Sequence, residues 1–208
     1  MLNQPAKLQL TLAVSMLFLL SPIQPARAAK PAADKTVAKT VEKKVALKNQ
    51  PDYEDDYLRI RLIRRSPKQI AAFYEGRQFP AAAIEKVSQV CFIAAIVHNK
   101  TRDILWLDLD KWRFQGKQEI KRLDRAYWKQ QWSQAKVDKA SQATFGWTLL
   151  PDQRDLRPDE GVGGNITLPA SKQEFTIIAQ FDRGADRQLP ALTVKLNNVR
   201  CKQDDEVK

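Results

Sequence analysis

From Val90 onward, apolar positions come in short runs separated by turn residues, the pattern of half-buried strands rather than of long helices. Val90–Val97 is continuously apolar and rich in branched side chains. Ile104–Leu109 sets Leu105, Leu107 and Leu109 against Trp106, Asp108 and Asp110. The polar link from His98 to Asp103 predicts a hairpin between these two runs, with Trp112 and Phe114 continuing its second strand. Further strands are expected over Thr144–Leu150, Ile166–Leu168, Phe175–Phe181 and Leu192–Val199, with a long polar loop from Asp152 to Asn165.

Helical signals are fewer. Ser66, Pro67 and Gln69 stand where an N-cap, a first helical residue and a capping-box partner are wanted. They predict a helix over 67–76, and Pro80 opens a second over 80–88. Asp124 caps a third over Arg125–Gln134, where Trp128 and Trp132, four apart, share one face. Tyr57–Arg65 alternates in part like a strand and equally begins a helix. Together these predict a mainly β fold. It reads as an immunoglobulin-like antiparallel β-sandwich with short N-terminal helices and one inserted helix, a closed barrel being the alternative.

The first 50 residues differ in kind. Leu8–Leu20 is a thirteen-residue apolar stretch behind Lys7, followed by Ala26-Arg27-Ala28, so residues 1–28 read as a cleavable export signal. The stretch is shorter than the roughly 20 residues a bilayer span needs. No stable transmembrane anchor is therefore expected after cleavage. Residues 29–50 carry six Lys and no aromatic residue, which predicts a flexible tether. The formal net charge of +11 falls unevenly, since residues 51–208, read as one domain, hold 27 basic and 22 acidic side chains.

Export changes the meaning of the two cysteines. In an oxidising compartment Cys91 and Cys201 are expected to bridge, closing a loop of about 110 residues worth roughly 4–5 kcal/mol on the chain-entropy model. Their spacing has no thiol-exchange character.

Candidate chemistry is thin. His98 is the only histidine, beside Asn99 and Asp103 in a turn. Nucleophile-elbow, zinc-protease, phosphate-loop and dinucleotide motifs are missing from the chain. Asp108 and Asp110, two apart, suit an exposed strand better than acid–base work. No cofactor and no metal is predicted, and the reading leans away from an enzyme. Candidate binding residues are Arg59, Arg61, Arg64 and Arg65, then Arg113, Trp128 and Trp132, and Arg157, Asp159 and Asn165 in the glycine-rich loop. Export argues against nucleic acid as the target of these cations. The expected partner is an envelope or secreted protein met in the periplasm or outside the cell, which makes the chain an interaction or assembly module. An anionic glycan, lipid surface or peptide is the alternative, and a hydrolase built on exposed carboxylates comes third.

Overall fold

A computed structural model of the chain describes residues 52–206. The expected signal over 1–28 and tether over 29–50 lie outside the described residues. The ambiguous segment is a strand, β2 (Leu58–Arg65), because Leu58, Ile60 and Leu62 are buried while Arg59 and its alternates turn away. It pairs along its whole length with β3 (Val90–Asn99), from Leu58 opposite Asn99 to Arg65 opposite Phe92. The short β1 (Tyr53–Glu54) flanks β2, and β7 (Gly161–Pro169) flanks β3, giving an antiparallel four-stranded sheet.

The second sheet is centred on β8 (Phe175–Arg183). One side of β8 pairs with β9 (Leu189–Val199). Its other side is shared in turn by β4 (Leu105–Asp108) and β5 (Arg113–Gln115), and β6 (Gln153–Leu156) adds to β4. A single 3-10 turn, Leu109–Lys111, separates β4 from β5. Asp108 caps it by accepting the Asp110 N–H at 3.1 Å. The sheets face each other across a core of alternating residues, Ile60, Ile93, Val97 and Leu168 from the first and Leu107, Ile177, Phe181 and Leu196 from the second.

Four helices build a third layer: α1 (Pro67–Glu75), α2 (Ala81–Ser88), α3 (Arg125–Gln134) and α4 (Lys139–Thr148). The expected capping box forms at Ser66 and Gln69. The helices lie on the outer face of the first sheet. Their core includes Tyr74, Phe92, Trp128, Trp132 and Phe145, with the Trp128 and Trp132 rings stacked at 4.9 Å. The continuous apolar run of β3 has this cause. Cys91 and Ile93 face the other sheet, while Phe92 faces the helices.

Three expectations are corrected. The strand expected over Thr144–Leu150 is mostly α4, so two helices are inserted rather than one. Asp138 starts α4 early by accepting the Ser141 N–H at 2.9 Å, and Phe145 and Leu149 then fall on one buried side. The loop expected over Asp152–Asn165 is β6, a turn at Arg157–Glu160 and the first half of β7. The expected hairpin between β3 and β4 does not form, because the two strands belong to different sheets. Asn99, fully buried, makes the corner. Its Nδ2 lies 2.8, 2.9 and 3.0 Å from the carbonyl oxygens of Asp103, Leu156 and Arg157, and its Oδ1 accepts the Thr101 N–H at 2.9 Å.

The expected disulfide is present. Cys91 in β3 and Cys201, two residues past β9, have Cα atoms 5.4 Å apart and tie the first sheet to the end of the second.

Candidate interaction surface

Because strand side chains alternate, the outer face of the first sheet is a set of rows running across β2, β3 and β7. Arg65, Phe92 and Thr167 form one row, in which Phe92 and Thr167 are buried under the helices. Ile63, Ala94 and Asn165 form the next. Beyond them lie Arg61, Ile96 and Gly163, then Arg59, His98 and Gly161. The helical core reaches Phe92 but includes neither Ile96 nor His98. Ile96 is 41% exposed, an aliphatic side chain in the middle of a sheet with solvent above it.

The two glycines shape this face. A Cβ on Gly161 would stand 3.3 Å from His98 Cδ2, and one on Gly163 would stand 3.6 Å from Ile96 Cγ1. His98 and Ile96 therefore take part of the space that side chains at 161 and 163 would fill. Asp159, in the turn just before β7, adopts φ +62°, which asparagine and aspartate tolerate better than most residues. Its Oδ1 lies 3.3 Å from His98 Nε2, with the Asp159 side chain 94% exposed.

At the far side, Arg59 donates from Nη2 to Glu54 at 2.7 Å, and Lys100 reaches the same oxygen at 3.0 Å. The Arg59 bond, then the Lys100 bond, holds the Glu54 carboxyl at about 2, well below its ordinary value. Two cations on one carboxylate leave this group net positive.

The structure thus brings Arg59, Arg61, Asp159 and Asn165 to one sheet face, around His98 and Ile96. Arg157 is exposed in the adjoining turn, its N–H bound to Glu160 at 3.0 Å. Arg64 pairs instead with Asp52 at 3.1 Å, and exposed Arg65 ends the row of Phe92 and Thr167. Arg113 lies on the other sheet, beside a cavity of about 350 Å³ lined also by Trp112, Arg122 and Asp124. There Arg122 is spent on Asp152 at 2.7 Å and Asp110 at 3.2 Å. Trp128 and Trp132 are each only 2% exposed and sit in the helical core.

Sequence reasoning missed Ile96, because a continuous apolar run does not say which of its residues lacks a cover. Trp147 is 84% exposed near the end of α4, in the segment whose pattern predicts a strand. Among the described residues no hydroxyl or thiol is hydrogen-bonded to the His98 side chain, and no group of three His, Cys, Asp or Glu is gathered as a metal site would require. Asp108 is buried as the turn cap while Asp110 points to solvent, so these carboxylates do not share a cleft. The face offers an apolar centre, cations and backbone groups, which is equipment for binding.

No helix among the described residues is long and apolar enough to cross a membrane. No protein-family model matches the chain. No curated protein is significantly similar to it. Among solved structures, a crystal structure from Bacillus subtilis described as a "putative lipoprotein" is similar at 12% identity and a TM-score of 0.38. The likeness covers 72% of this chain and 39% of that one, so the chain spans less than half of that protein's length.

Proposed function

We propose that the chain is an exported, non-catalytic protein-interaction or envelope-assembly module that docks a protein partner on the rows of Ile96 and His98. The observation that carries this reading is Ile96. A large aliphatic side chain is left exposed between Arg61 and Gly163, while Phe92, two rows away on the same sheet face, is roofed by helices. An apolar centre rimmed by polar groups is the usual make-up of a docking patch.

The compartment belongs to the same proposal. A structural disulfide supports an oxidising location, periplasmic first and fully secreted second, reached through a cleaved signal over 1–28 with 29–50 as tether. Residues 51–208 then act as one domain without a transmembrane anchor. Two antiparallel sheets packed face to face and joined by a disulfide support an immunoglobulin-like relationship.

A second reading, a module for an anionic glycan, lipid or peptide, draws on a cavity of about 470 Å³ lined by Lys117, Lys121 and Ser171. Glu119 and Glu174 line the same cavity and oppose an anion there.

The test is affinity capture from the native envelope after reversible crosslinking. Stoichiometric protein recovered by the natural chain and lost with Ile96→Glu supports the first reading. Recovery of glycan or lipid that depends on Lys117 and Lys121 supports the second.

A further inference from the structure

Trp147 stands apart from the aromatic residues that build the helical layer. Phe145 and Leu149 take the buried side of the chain at the end of α4. Helical spacing turns Trp147 to the opposite side, in line with exposed Ala140 and Ala143. These two methyl side chains leave the indole, 84% exposed, clear of its own helix. Arg125 and Lys129 of α3 line, with Gly146, a cavity of about 140 Å³ floored by Trp128, Trp132 and Phe145. Arg125 also donates to the Gly146 carbonyl at 2.9 Å, so this end of α3 lies beside the residue that precedes Trp147.

The charge of this outer crest is one-sided. Residues 125–148 carry Arg125, Lys129, Lys136 and Lys139 against Asp138 alone. Asp138 is taken up as the α4 cap, accepting the Ser141 N–H at 2.9 Å and its hydroxyl at 2.7 Å. Arg125 pairs with Asp152 at 2.9 Å. Lys129, Lys136 and Lys139 are exposed, and no ion pair engages them among the described residues. The adjoining α1 and α2, with their link, add Lys68, Arg77 and Lys86 against Glu75 and Glu85, and Asp124 is the α3 cap. With those acids counted, the helical layer stays net positive.

From this arrangement we infer that the crest of α3 and α4 seats the protein on an anionic phospholipid bilayer, Trp147 entering the headgroup layer and Lys129, Lys136 and Lys139 facing the phosphates. An indole pairs an apolar body with a polar N–H, which suits the boundary between headgroups and acyl chains. Flexible lysines around it gain from an anionic surface without a fixed counter-shape. A protein would need a cavity matched to a lone projecting ring, whereas a bilayer yields to it. α4, ten residues long, cannot span, so the contact is peripheral. The crest shares no residue with the rows of Ile96 and His98, so either surface can fail alone.

The probe is a set of vesicles with brominated acyl chains, either phosphatidylcholine alone or an equimolar mixture with phosphatidylglycerol. Bromine quenches a tryptophan that reaches the bilayer. All five tryptophans lie between 106 and 147, so the signal is blind to the apolar stretch Leu8–Leu20. The expected result is quenching by the mixed vesicles, little by the neutral ones, and its loss with Trp147→Phe. Lys129→Gln with Lys139→Gln should weaken the apparent affinity about tenfold or more. Arg113→Gln with Lys195→Gln removes the same charge from the outer face of the second sheet, and should leave affinity within about twofold. All five substitutions are at exposed positions. Absence of quenching, quenching that survives Trp147→Phe, equal quenching by neutral vesicles, or equal weakening by both charge pairs overturns the inference. No quenching, with a protein from the native envelope captured by the natural chain and lost with Trp147→Ala, overturns it in favour of a protein contact.

Discussion

Trp128 donates its indole N–H to Thr167 Oγ1 at 2.9 Å, and Thr167 in turn donates to the Leu123 carbonyl at 2.7 Å. One buried hydroxyl thereby locks the helical layer onto β7. Thr167→Val keeps the shape but leaves an indole donor and a carbonyl without partners. Each stranded group costs about 1–3 kcal/mol, so a loss of about 2–6 kcal/mol is expected in urea unfolding, with a shift in tryptophan emission.

Leu149 belongs to the helical core and Leu150 to the core between the sheets, so the chain crosses the edge of the first sheet between them. The crossing passes so close to Gly164 that a Cβ there would stand 2.4 Å from Leu150 N. Backbone lies on the other side, so no rotamer relieves the clash. Gly164→Ala is expected to cost about 3 kcal/mol or more, read as a fall in unfolding midpoint, because overpacking against backbone must move the chain. Gly163→Ala, with ordinary contact distances, serves as the mild comparison.

Asn99 closes the corner from β3 to β4, and no apolar residue can replace its bonds. Asn99→Leu strands the carbonyls of Asp103, Leu156 and Arg157 in a buried site. The expected loss is on the order of 3–5 kcal/mol, measured by denaturant unfolding of the oxidised protein.

The acid limb of stability has a named contributor. Arg59 first, then Lys100, lowers the Glu54 carboxyl from 4.5 to about 2. The unfolded chain therefore binds this proton more readily. The contribution is fully present above pH 4.5 and is lost as pH falls toward 2. Glu54→Gln should flatten that part of the profile, and salt should mimic it in part, since the pair is exposed. At the alkaline end, burial raises the Tyr74 hydroxyl from 10 to about 12. The neutral ring's contribution is present below pH 10 and is lost as pH rises through 12. Tyr53, raised to about 12 by its bond to Asp55, adds a second component that Tyr74→Phe leaves in place.

Much of this fold can be read from alternation and caps. Ser66, Pro67 and Gln69 marked α1, Asp124 marked α3, and the lone thiol pair marked the bond between the sheets. Alternation is silent about partners. It could not show that β3 and β4 part company at Asn99, since a buried asparagine and an exposed turn asparagine look alike in a polar stretch. At α4 the β-favouring run after Thr144 lost to a helix begun six residues earlier by Asp138. The candidate surface was half legible. Arg59 and Arg61 stood out as charges, but Gly161 and Gly163 read as loop because glycine carries no periodicity of its own. Only the pairing of β3 with β7 sets them beside Ile96 and His98.

Docking of a protein partner on the rows of Ile96 and His98 is the proposed function. It is tested most directly by capturing crosslinked partners from the native envelope with three chains in parallel: natural, Ile96→Glu and Arg113→Glu. All three should have the same unfolding free energy within about 0.5 kcal/mol, because both substitutions are at exposed positions. One or two stoichiometric proteins are expected with the natural chain and with Arg113→Glu, and their loss with Ile96→Glu alone. An identical set from all three chains, or a loss confined to Arg113→Glu, would contradict it.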